Sequence, residues 1–309
     1  LMALRSEIGK AVVGQEGAVT GLIIALVAGG HALLEGVPGV AKTLLVRTMA
    51  TALDVDMARI QFTPDLMPAD ITGSLVWDTG SSAFEFRRGP VFTNLLLADE
   101  INRTPPKTQS ALLEAMEERQ VSVDGQTHAL ADPFMVIATQ NPVEYEGTYP
   151  LPEAQLDRFL LKLELPLPGR DAEFGIVKRH RDGFNPLALA DAGVRPVASP
   201  ADIAAARGAA ARVDVSDTVL AYLVDVCRAT RESPSVRLGA SPRGATALLR
   251  TTRVWAFLQG RGFATPDDVK AMAAPTLAHR IGLRAEADLE GLTAARVVEG
   301  VLAQVPVPR

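Results

Sequence analysis

Short, continuous apolar runs alternate with segments of helical periodicity through the first half of the chain. His31–Glu35, Asn94–Ala98 (Asn-Leu-Leu-Leu-Ala) and Phe134–Thr139 have strand length and almost no polar face, the pattern of strands covered on both sides. Arg59–Phe62 reads as a further strand, and Lys42–Leu53 and Lys107–Arg119 carry helix formers with apolar residues at helical spacing. Two helices precede them, Arg5–Val12 and the mostly apolar, core-forming Gly17–Gly30. Strands alternating with helices predict a three-layer α/β domain with a mainly parallel sheet.

Two stretches break this rhythm with period-two alternation. In Gly73–Phe86, Leu75 and Trp77 lie on one face of an outgoing strand and Phe84 and Phe86 on the returning one, with turn chemistry at Asp78–Ser82. Gln120–Val123 and Gln126–Ala129 flank Asp124-Gly125, a two-residue hairpin turn. Gly183–Pro200, with Asn185-Pro186, Gly193 and Arg195-Pro196, is a break in composition. It places an α/β domain at 1–185 and an all-helical domain at 198–309. Ser199-Pro200, Ser241-Pro242 and Thr265-Pro266 each pair an N-cap residue with proline at the first helical position.

Composition narrows the function. The 309 residues are 48% hydrophobic and 22% charged with a formal net charge of −5, so nucleic acid is not an expected partner. The single cysteine, Cys227, sits among apolar neighbours. It excludes an intrachain disulfide framework and fits a reducing compartment, here taken as the cytoplasm. Four histidines are scattered, without a zinc-site spacing. The apolar run Leu22–Ala28 is far too short to span a membrane, and Glu7, Gln15 and Glu16 interrupt any secretory pattern.

The densest chemistry is at Gly36-Val37-Pro38-Gly39-Val40-Ala41-Lys42-Thr43, followed by Leu44. This is the phosphate-binding loop pattern with Ala41 at the third glycine. Such a loop wraps phosphates in backbone N–H groups, and the helix after it adds its positive end. Lys42 would meet the outer phosphates and Thr43 would offer a hydroxyl to Mg²⁺. Ala41 is expected to enter the helix without needing a positive φ. Asp99-Glu100 closes an apolar strand, where an ATPase needs one carboxylate for Mg²⁺ and another for the attacking water. Asn141 follows the strand at 134–139 and could hold that water or touch the terminal phosphate. Arg158 lies among apolar residues, and Arg243 stands in the first turn of a helix, where a cation opposes the dipole and asks for an anion.

In this order the residues resemble the AAA+ ATPases and, more closely, the MoxR family. The similarity is carried by Gly36–Thr43, Leu96–Arg103, Pro105–Glu118, Ala138–Pro142, Pro152–Phe159 and Gly239–Gly244. It implies a P-loop NTPase (AAA+) domain followed by a helical lid, with ATP and Mg²⁺ as cofactors. Lys42 and Thr43 match Walker A, Asp99 and Glu100 Walker B, Asn141 sensor 1, and Arg243 a sensor 2 acting in cis. Arg158 matches an arginine finger acting in trans, and Val13 and Gly14 match the segment against adenine. The hairpins near 74–86 and 120–129 look like insertions that face a central pore. The family further implies a ring, usually a hexamer, that remodels or matures protein or metalloenzyme complexes with a von Willebrand factor A partner. A magnesium-chelatase-type motor subunit and a slow nucleotide-dependent assembly switch are the alternatives.

Overall fold

The computed structural model describes residues 1–80, 82–141 and 148–308. Ser81 of the first hairpin turn, Pro142 of the stretch 138–142 and the terminal Arg309 lie outside the described residues. The chain divides into two compact units. The first comprises 1–22, 31–151 and 163–202, the second 23–30, 152–162 and 203–309.

The strands of the first unit are β1 (Ala32–Glu35), β2 (Met57–Gln61), β3 (Gly73–Asp78), β4 (Ala83–Arg88), β5 (Leu95–Asp99), β6 (Gln120–Val123), β7 (Gln126–Ala129), β8 (Met135–Gln140) and β9 (Leu161–Glu164), which runs in from the second. Five of them form a sheet in the order β2-β5-β8-β1-β9. The β2–β5, β5–β8 and β8–β1 pairs are parallel. Leu95, Leu96, Leu97 and Ala98 are completely buried, as are Val136, Ile137 and Ala138, so β5 and β8 form the middle of the core. The helices are α1 (Met2–Gly9), α2 (Glu16–Val27), α3 (Lys42–Leu53), α4 (Pro68–Thr72), α5 (Pro106–Glu118), α6 (Glu153–Leu156) and α7 (Arg170–Arg181). α2 ends before Gly30 because Gly29 turns left-handed (φ 66). The Gly30 N–H then reaches back to the Ala25 carbonyl, closing the helix as a Schellman motif.

β6 and β7 have the expected bounds, with Asp124 (φ 50) and Gly125 (φ 74) both left-handed, as a type I′ turn requires. In the β3–β4 ladder, Leu75 pairs with Phe86 and Trp77 with Phe84. The Trp77 and Phe84 rings meet edge to face at 5.1 Å. The two hairpins also touch each other, since Phe86 of β4 stacks on His128 of β7 at 4.2 Å.

The second unit is built mainly from α8 (Pro200–Ala211), α9 (Asp217–Glu232), α10 (Pro242–Leu258), α11 (Pro266–Leu277), α12 (Ala285–Leu289) and α13 (Ala294–Gln304). The serine and threonine caps form as read. Ser241 Oγ accepts the Gly244 N–H at 3.2 Å, and Asp268 Oδ2 reaches back to the Thr265 N–H at 2.7 Å. A short antiparallel ladder, β10 (Val236–Leu238) with β11 (Gly282–Leu283), is added to the helices. Cys227 is buried on α9, and burial pushes its thiol up to about 11, which makes it an inert packing group. Among the described residues no helix is long and apolar enough to cross a membrane.

His279, just after α11, is buried and held well below the ordinary imidazole range by desolvation and then by its neighbour Arg280. Its Nε2 lies 2.9 Å from the Phe159 carbonyl and 2.8 Å from Arg280 Nη1. Its Nδ1 is buried without a partner among the described residues. Below about pH 6.5 the unfolded chain takes up a proton that the folded unit refuses. Stability is therefore intact above that pH and falls as pH drops, by up to about 1.4 kcal/mol per unit. His279→Gln keeps a donor for Phe159 and should flatten this dependence. Thermal unfolding of parent and variant between about pH 7.5 and 5.5 measures it, and equal slopes would reject the assignment.

Candidate functional site

Three parallel strands end side by side in the first unit, and each hands its next residues to the site. β1 leads into Gly36–Ala41, β5 ends at Asp99 and β8 at Gln140. Since β8 lies between β1 and β5, Asn141 follows the middle strand, between the glycine loop and the acidic pair. Asn141 is buried.

The glycine loop is shaped by two different constraints. A Cβ at Gly36 would stand 2.7 Å from the Leu165 carbonyl oxygen, while Gly39 adopts φ +87 with open space around it. Gly36 permits close approach and Gly39 supplies backbone freedom. Ala41 departs from expectation. It caps α3 in the left-handed region (φ 64, ψ 26), so the position does need a positive φ. The third glycine of the pattern answers to this geometry, and alanine holds it at a cost of about 1 kcal/mol. α3 then starts at Lys42. Half-buried Lys42 donates from Nζ to the Gly36 carbonyl and, at 3.5 Å, to that of Gln140. Burial lowers its pKa, opposed by the charges of Asp99, Glu100 and Glu35. A partly desolvated ammonium held on carbonyls can readily exchange them for phosphate oxygens.

The acidic pair is pinned by residues that sequence reasoning did not single out. The buried Thr139 hydroxyl donates to Asp99 Oδ1 at 2.6 Å and accepts the Glu100 N–H at 2.9 Å. Arg59 reaches Asp99 Oδ2 at 2.7 Å. Both donors on the Glu100 carboxylate, Gln61 at 2.7 Å and Arg103 at 3.0 Å, reach Oε2. Glu100 is itself left-handed (φ 57), and backbone strain of this kind gathers at functional sites.

Val13 borders a cavity of about 160 Å³ beside Gly39–Ala41, lined also by Val12, Gln15, Leu44, Pro168, Ile176, Arg179 and His180, and Gly14 is its neighbour in sequence. Gly14 has φ +77, and a Cβ there would press on Pro168 and Ala172 at 3.1 Å. Ile176 and His180 are four apart on α7, a spacing that puts both on one helix face. The remaining candidates belong to the second unit. Arg158 is half-buried in the turn between α6 and β9. Arg243 is in the first turn of α10, with its Nε 3.8 Å from Asp157 Oδ2.

A glycine loop running from a strand of a parallel sheet into a helix, with an Asp-Glu pair at a nearby strand end, is the architecture of the P-loop nucleotide hydrolases. The family model for ATPases associated with various cellular activities matches residues 31–161, and that for the AAA lid domain matches 228–301. Chaperone MoxR1 of Mycobacterium tuberculosis is 41% identical over 98% of this chain and 81% of its own length. Protein MoxR of Methylorubrum extorquens is 34% identical over 98% and 93%, and the uncharacterized protein YeaC of Bacillus subtilis 46% over 98% and 93%. A crystal structure from Cytophaga hutchinsonii, provisionally described as an ATPase, superposes with a TM-score of 0.91 at 41% identity, covering 100% of this chain and 94% of that one. The chain belongs to the MoxR family of AAA+ ATPases, and its activity is ATP hydrolysis.

Proposed function

We propose that this ATPase is a chaperone-like remodelling subunit. Mg²⁺-ATP sits on the loop Gly36–Thr43, and its hydrolysis drives maturation of a protein or metalloenzyme complex. The observation that carries the reading is the convergence of Lys42, Asp99, Glu100 and Asn141 on neighbouring strand ends, together with relatives named as chaperone and MoxR.

In this reading the base packs in the cavity beside Val13 and Gly14, and the backbone from Gly36 to Leu44 cradles the phosphates. Lys42 leaves the Gly36 carbonyl for the outer phosphates. The oxygen donors Thr43 and Asp99 suit Mg²⁺, which prefers one or two protein oxygens beside substrate phosphates. Asp99 would act through water. The ion, when bound, neutralises charge developing on the phosphates. Glu100 receives the proton of the attacking water on Oε1, because its Oε2 already accepts two donors. Asn141 orients the same water. Arg243 completes the site from the helical lid (198–309), and Arg158 completes that of the next subunit in a ring, most simply a hexamer. The hairpins β3–β4 and β6–β7 would face its pore, and a von Willebrand factor A protein would be the partner. A change in ATPase rate when such a protein is added tests the last point.

Lys42→Ala should weaken ATP binding by about 30-fold or more, the loss of a charge-assisted contact of about 2 kcal/mol. Calorimetry measures it, and unchanged affinity would remove Lys42 from the site.

A further inference from the structure

The most completely buried guanidinium beside the candidate arginines is that of Arg280, whose side chain is 3% exposed. Its Nε donates to Asp157 Oδ1 at 2.6 Å. Nη2 donates to the carbonyls of Phe159 at 2.7 Å and Asp157 at 3.3 Å. Nη1 donates to the Leu160 carbonyl at 3.2 Å and also meets that of Thr276. Burying a cation is costly, and here one carboxylate and several backbone carbonyls offset the cost. The planar fork therefore defines the path of the turn 157–160 as firmly as it neutralises charge. His279 adds a bond to the same Phe159 carbonyl. The residue enclosed by these contacts is Arg158.

Asp157 faces a second cation as well. Its Oδ1 belongs to buried Arg280, while Oδ2 lies 3.8 Å from the Nε of Arg243, whose side chain is 50% exposed. One carboxylate thus stands between an enclosed arginine and a half-exposed one. All of these residues lie in the second unit.

We propose that Arg280 and Asp157 are positioning residues that aim Arg158, and that the Asp157 carboxylate relays to it whether Arg243 is engaged by a phosphate. When Arg243 turns toward an anion, Asp157 keeps only Arg280, and the peptide carrying Arg158 adjusts with it. The nucleotide state of one subunit would thereby set the arginine it offers to the next. The inference rests on the reading of Arg243 as acting in cis and Arg158 in trans.

Arg280→Lys keeps the charge and loses the fork, and Asp157→Asn keeps the shape and loses the charge, so the second decides if the first fails to fold. Each should bind ATP within about twofold of the parent yet lower kcat about tenfold or more. The defect should also act on the neighbour. Rings co-expressed from two differently tagged chains, one carrying Glu100→Gln and one carrying Arg280→Lys or Asp157→Asn, should recover activity above either homogeneous ring. A merely structural lesion would not be rescued in this way. The control pair is Arg158→Ala with Glu100→Gln. Rescue of the control without rescue of the positioning variants would overturn this inference and leave the trans arginine standing. Failure of both pairs would overturn the trans arginine and the inference with it. So would kcat within twofold of the parent in both positioning variants.

Discussion

Glu100→Gln should bind ATP about as tightly as the parent and hydrolyse it about 10²–10⁴-fold more slowly. The separation of binding from chemistry follows from the local bonds. Gln61 and Arg103 both donate to Oε2, and a glutamine oxygen can accept both. The left-handed backbone at 100 is also held independently of the side chain, by the Glu100 N–H on the Thr139 hydroxyl. The substitution therefore preserves shape and donor contacts and removes only a group able to take a proton from water. Steady-state turnover and calorimetric ATP affinity on the same preparation decide the point. Turnover within a factor of two of the parent would rule out Glu100 as the base.

Arg158→Ala should lose about 10³-fold in hydrolysis, the scale on which an arginine supplied to a terminal phosphate acts in other nucleotide hydrolases, with ATP affinity unchanged. Arg158 lies in the second unit, while Lys42 and Glu100 lie in the first. If Arg158 serves a neighbour's nucleotide, an isolated subunit has an incomplete site. Specific activity of the parent should then rise with protein concentration as rings assemble, and that of Arg158→Ala should stay low throughout. Full activity of the variant, or concentration-independent activity in a parent shown by light scattering to remain monomeric, would exclude a shared site.

Much of this was legible before any coordinates. β5 and β8 announce themselves because burial on both faces leaves no polar alternation, and Asp124-Gly125 dictates a turn type as well as a turn. The Ser-Pro and Thr-Pro pairs mark helix starts because a cap oxygen and a missing N–H are both useful there. Other features had no local signature. Ala41 misled because alanine ordinarily favours helix, and the loop's path around it, rather than its own preference, sets φ. Thr139 reads as one more β-branched strand residue, and only the neighbouring register reveals a hydroxyl between Asp99 and the Glu100 N–H. Pro168, Ile176 and His180 lie more than a hundred residues from the glycine loop in sequence, so folding alone brings them to its cavity. β10 and β11 are too short to show a period. Arg280 looks like an ordinary cation near a helix end until its carbonyl partners are seen.

The stacked pair Phe86 and His128 has a consequence for how the two hairpins are held. It joins β4 to β7 by the flat faces of two rings at 4.2 Å, so the two hairpins are tied to each other as well as to the chain. That hairpin is spliced into the chain between α5 and β8. One lead runs back through α5 toward Asp99 and Glu100, and the other runs forward along β8 to Asn141. The second hairpin thus stands in the chain between the acidic pair and Asn141, with one helix on one side of it and one strand on the other.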